Sequence, residues 1–134
     1  MKFLFFLVFP FSILAQDKDC SLPRNLKYVN SDSSITVERI NNIEIQTHRF
    51  SKNEYSDGGE FILEYTVSKL SPCTYKLEFS RVVQYVESID VGFSKNYVQE
   101  IVLFNKKEII ISTLTDYQGD SIPNPQPFTY YIIN

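Results

Sequence analysis

Tryptophan is absent from the chain, and histidine occurs once, as His48. These shortages remove whole classes of chemistry. A zinc site gathers several His or Cys ligands at close spacing, and one histidine with two distant cysteines does not supply them. A Ser-His-Asp arrangement would have to pass through His48, yet no G-x-S-x-G turn is present to display its serine. His48 therefore reads as a polar strand residue beside Arg49, and no catalytic residue is assigned. Glu60 with Glu64, or Glu38 with Glu44, offers the carboxylate pair that glycoside chemistry needs. Alternate glutamates on a strand more often form a solvated outer face, and the tryptophan that would stack a sugar is missing. Asp116-Tyr117-Gln118-Gly119-Asp120 has too few oxygen ligands for a calcium loop and reads as a turn. No metal or cofactor is expected.

Basic clusters are also scarce. Nothing exceeds Lys106-Lys107, the net charge is −3, and the signs are interspersed. Binding to nucleic acid by neutralising phosphates is therefore not expected. Long hydrophobic runs are limited to one, Phe3 to Leu14, behind Met1-Lys2 and ahead of Ala15-Gln16. About 12 apolar residues fall short of the roughly 20 that span a bilayer. With a basic start and a small residue at its end, the run has the form of a secretory leader, residues 1–15, cleaved near Ala15. Residues 16–134 then make one domain, long enough to bury most of its apolar surface. The leader takes five of the eleven phenylalanines, while all nine tyrosines stay in the domain.

Export gives the two cysteines, Cys20 and Cys73, their meaning. In an oxidising compartment an even pair reads as a disulfide, here pinning the start of the domain to a strand. Lys18-Asp19 before Cys20 argue against a lipidation signal, and no histidine lies close by to activate a thiol.

The rest of the domain alternates as β-strands do. Residues 34–40 and 43–50 flank Asn41-Asn42, a tight-turn signal, and form a hairpin. Phe61, Leu63, Tyr65 and Val67 share one face, and Leu70-Ser71-Pro72 breaks that strand. Cys73, Tyr75, Leu77 and Phe79 make the cleanest stripe in the chain. In 81–96, Val82, Val83, Val86 and Ile89 stand at near-helical spacing among β-branched residues, so a short helix and an irregular crossover both fit. Residues 97–104 and 108–114 make a third hairpin, 116–127 a proline-rich loop, and 128–133 a closing strand. Seven or eight antiparallel strands in a meander imply an all-β domain, a curved sheet or a small barrel of the lipocalin or calycin kind. Closure would hide the edges that Ile109-Ile110-Ile111 would otherwise expose.

Several of these segments occur together: Leu26-Lys27-Tyr28, Val37-Glu38-Arg39, Ile43-Glu44, Tyr65-Thr66-Val67 and above all Cys73-Thr74-Tyr75-Lys76-Leu77. In this the chain resembles a group of small exported β-rich proteins of Bacteroidetes-type bacteria, over roughly Cys20 to Phe79. That group often approaches the cysteine through a Trp-Leu-Ser/Asp-Asp segment, where this chain has Lys69-Leu70-Ser71-Pro72. The resemblance implies a fold and a compartment, periplasmic or extracellular, and transfers no catalytic residue.

The expected role is that of an exported, non-catalytic binding module of the cell envelope. The alternatives are a carrier of a small apolar ligand and a structural envelope protein. For a ligand, the inward residues Phe61, Tyr65, Tyr75, Leu77 and Phe79 would line a barrel cavity. For a protein partner, Tyr117, Pro123, Pro125 and Tyr131 would form a semi-rigid, tyrosine-bearing surface.

Overall fold

The computed structural model describes residues 20–54, 57–84, 96–116 and 118–133. The leader expected at 1–15, Tyr117 and most of the 81–96 stretch lie outside them. Eight strands follow one another: β1 Asn25–Val29, β2 Ile35–Ile40, β3 Ile43–Phe50, β4 Gly59–Ser71, β5 Thr74–Gln84, β6 Tyr97–Phe104, β7 Glu108–Thr113 and β8 Pro127–Ile132. Each pairs antiparallel with the next, and β8 returns to β1 to close the barrel. The closing seam is short, Tyr28 opposite Ile132 and Val29 opposite Tyr131. The expected all-β meander is thus a closed barrel.

Short polar connections set the register. Asn41-Asn42 joins β2 to β3 with Ile40 opposite Ile43, and Asn41 takes φ 57°, the left-handed conformation a two-residue hairpin needs first. Asn105 caps the β6–β7 turn: its Oδ1 accepts N–H bonds from Lys107 and Glu108, at 2.8 and 2.9 Å. Pro72 ends β4, as its sequence position suggested, and the strand runs to Ser71. Ser71 still pairs with Thr74, so the proline occupies the turn, where it needs no N–H partner. Cys73 shares that turn rather than the following strand.

Arg81–Gln84 form neither of the two alternatives, a short helix or an irregular crossover. These residues prolong β5, with Arg81 opposite Glu64 and Val82 opposite Leu63. Their β-branched content wins over the near-helical spacing because β4 offers a long partner. Register shifts flank this pairing at Ile62/Leu63 and Glu64/Tyr65. Such bulges bend and twist a ribbon, as barrel closure requires.

The interior holds two apolar clusters. One gathers Cys20, Leu26, Tyr28, Val37, Ile101 and Ile109 among others, and the second centres on Leu63, Tyr65 and Leu77. Outside, Arg49 pairs with Glu60, Lys76 with Glu78 and Arg81 with Glu64. No helix among the described residues is long and apolar enough to cross one.

Candidate binding site

Three features meet at the barrel end where β1 begins and where the β2–β3 and β4–β5 turns lie. The first is covalent. Cys20 and Cys73 form a disulfide with Cα atoms 5.2 Å apart. The bond anchors the start of the domain to the β4–β5 turn, a residue away from the strand expected from sequence. Cys20 is buried, and its carbonyl accepts a bond from the Tyr75 hydroxyl at 3.3 Å. Asn41 N–H donates to the Arg24 carbonyl at 2.8 Å, tying the same segment to the β2–β3 turn. Residues 20–24 therefore lie across the end of the barrel as a fixed cap.

The second is a polar seam inside the barrel. Arg39 is directly opposite Glu44 across the β2–β3 ladder. Both side chains face inward, with the glutamate only 1 % exposed. Glu44 Oε1 accepts from Arg39 Nε at 2.7 Å, and Oε2 accepts from Gln46 Nε2 at 2.7 Å. Tyr28 OH reaches Oε1 at 3.4 Å. Beyond Gln46, its Oε1 meets His48 Nε2 at 3.1 Å, and the imidazole stacks on Phe61 with centroids 4.7 Å apart. The Arg39 guanidinium also sits over the Tyr75 ring, 5.0 Å from its centroid, within cation–π range. Burial opposes the charge on Arg39, but Glu44, Tyr28 and Tyr75 together outweigh it and raise its pKa. Burial and the nearby Glu44 push the Tyr28 phenol well above the ordinary tyrosine range. Burial lowers the pKa of His48.

Glu44 thus corrects the sequence reading of it as an outer-face residue, and His48 is the strand residue expected. Ile43 and Ile45 suggested the opposite face as the inner one, yet Ile43 is exposed. A signal was available on β2, where Arg39 alternates in step with Ile35 and Val37. A two-residue turn then forces residue 44 to face residue 39.

The third feature is a pocket of about 330 Å³ between cap and barrel wall. Leu22, Pro23 and Arg24 of the cap form one side, and Arg39 and Asn41 another, with Val67 and Tyr75 completing it. Its size is at the lower end for small-molecule sites. Of the five residues expected to line a cavity, Tyr75 lines this pocket. Phe61, Tyr65, Leu77 and Phe79 pack together within the second apolar cluster, where Tyr65 meets Phe79 edge-on at 5.8 Å. Sequence alternation identified them as inward but carried no information on which stretch of the interior is filled. Arg24, Arg39 and Asn41 escaped it because polar residues were assigned to the outside.

Of the expected interaction surface, Tyr131 is exposed on β8 and Pro123 is exposed in the connection before it, with Pro125 half-buried. Pro123 and Pro125 belong to the connection before β8, whereas Tyr131 lies within that strand. Among the described residues no group of three His, Cys, Asp or Glu side chains comes together to hold a metal. Compared with family models, curated proteins and solved structures, the chain matches none.

Proposed function

We propose that this chain is an exported binding module of the kind its Cys73–Leu77 segment resembles, and that its binding site is the pocket under the disulfide-held cap. The observation that carries the reading is the pocket itself. It is concave, has both apolar and hydrogen-bonding groups, and is built partly from a segment that a covalent bond holds in place. Such pre-organisation lowers the ordering cost of binding. The disulfide supports an oxidising destination, since such bonds persist outside reducing compartments.

Native mass spectrometry of the chain purified from its own host tests the proposal. An added mass that is lost on denaturation, and is absent from a Val67→Trp variant with unchanged circular dichroism, is the expected result. A bare chain mass in the wild type would overturn it. A second reading, a protein-partner role, draws on the outward faces of β6 and β8, where Leu103 and Tyr131 are exposed. A co-purifying protein lost on Tyr131→Ala would favour that reading.

A further inference from the structure

The pocket's chemistry narrows its guest. The sequence contains four arginines, and two of them, Arg24 and Arg39, line this one pocket. The other two, Arg49 and Arg81, are paired with glutamates on the outer wall. Among the described residues no aspartate or glutamate lines the pocket, although the chain as a whole carries a net charge of −3. The concentration of positive charge is therefore local and runs against the overall balance.

Geometry adds direction. Glu44 takes only the Nε–H of Arg39, and no acceptor among the described residues takes the Nη donors. A guanidinium presents those donors in a planar fork that matches a carboxylate. Glu44 and the Tyr75 ring hold the fork in place, so little side-chain entropy is lost when a guest arrives. The Arg39–Glu44 pair is neutral as a unit. Arg24, exposed at the rim, adds a second guanidinium to the pocket. Leu22, Pro23, Val67 and Tyr75 supply the apolar part of its lining. At about 30 Å³ per water-sized group, a pocket of 330 Å³ holds a guest of about ten non-hydrogen atoms.

The geometry points to a small amphipathic carboxylic acid, bound as its monoanion, with the carboxylate on Arg39 and Arg24 and the hydrocarbon against Leu22, Val67 and Tyr75. This rests on the reading of the pocket as the binding site.

Calorimetric titration of the full, oxidised protein at neutral pH with octanoate, octan-1-ol and octylamine tests it. Octanoate is expected to bind at least tenfold tighter than octan-1-ol, and octylamine weakest. Arg39→Gln strands Glu44 and is a poor probe because it endangers the fold, so the decisive variant is Arg24→Glu at the exposed rim. It should weaken octanoate about tenfold or more and leave octan-1-ol unchanged. Equal binding of acid and alcohol, or a preference for the amine, overturns the acid proposal while the pocket reading stands. The acid proposal also falls alone if none of the three binds but a guest removed by Val67→Trp is still seen in the native mass spectrum. If that spectrum also shows a bare chain, both fall.

Discussion

Arg39 and Glu44 face each other across a two-residue turn, and both point into the barrel, with Nε and Oε1 2.7 Å apart. Removing one partner of a buried ion pair leaves a bare charge in the interior and costs about 3–5 kcal/mol. Replacing both with apolar residues of similar volume is often neutral. Glu44→Ala should therefore lower the melting temperature by about 10 °C or more, and Arg39→Met/Glu44→Leu should recover most of that loss. Thermal denaturation followed by circular dichroism decides it. A double variant as unstable as the single one would mean that the seam's hydrogen bonds to Gln46 and Tyr28, rather than charge pairing, hold this region.

Tyr28→Phe separates the weakest member of that seam from its packing. Its hydroxyl is 3.4 Å from a carboxylate oxygen that already accepts from Arg39. Losing it should cost about 1 kcal/mol, whereas Tyr28→Ala opens a core cavity and should cost about 3–5 kcal/mol. Urea titrations of the two variants give the comparison.

Acid should destabilise the protein through His48. Burial holds its folded pKa below the ordinary 6.5, so the unfolded chain binds the proton first as pH falls. Stability is fully present above the unfolded value and declines as pH drops toward the folded one. The ring's NMR titration midpoint should lie below 6.5, and His48→Gln should flatten stability against pH across that window.

The alkaline side runs through tyrosine. Tyr28 and Tyr65 are both raised by burial, with Glu44 adding to each. The unfolded chain loses these protons near pH 10 and the folded one retains them, so stability falls as pH rises above about 10. Ultraviolet titration should show a late phenolate fraction that appears with unfolding. Tyr28→Phe should reduce the late fraction.

Reduction should release the cap. A loop closed by residues 53 apart is worth about 4 kcal/mol in the chain-entropy model. Intact mass should rise by about two daltons on reduction. Amide exchange at residues 20–24 should accelerate more than exchange in β7, whose Ile109 is fully buried.

The fold was legible where alternation and turn chemistry agreed. Asn41-Asn42 set one hairpin, and Tyr75 and Leu77 marked an inner face that the barrel uses. The Cys20–Cys73 bond followed from the cysteine count and the expected compartment. The seam was not legible, because on β3 the apolar residues Ile43 and Ile45 take the outer face while Glu44, Gln46 and His48 take the inner one. Alternation gives two faces but does not say which is inside. A strand whose polar face is inward is resolved only by its neighbour, here by Arg39 across the ladder. The pocket escaped for a different reason. It lies between the barrel and the irregular segment at residues 20–24, and no periodic signal describes how a loop sits on a wall.

The cap gives the disulfide a consequence beyond stability. Leu22, Pro23 and Arg24 are one side of the pocket, and the bond next to them holds that side in position. A chain whose cysteines are still thiols would lack that covalent hold on one wall of the pocket. Oxidation would then act as a maturation step, and affinity for a guest would begin only once the protein has reached a place where the bond can form.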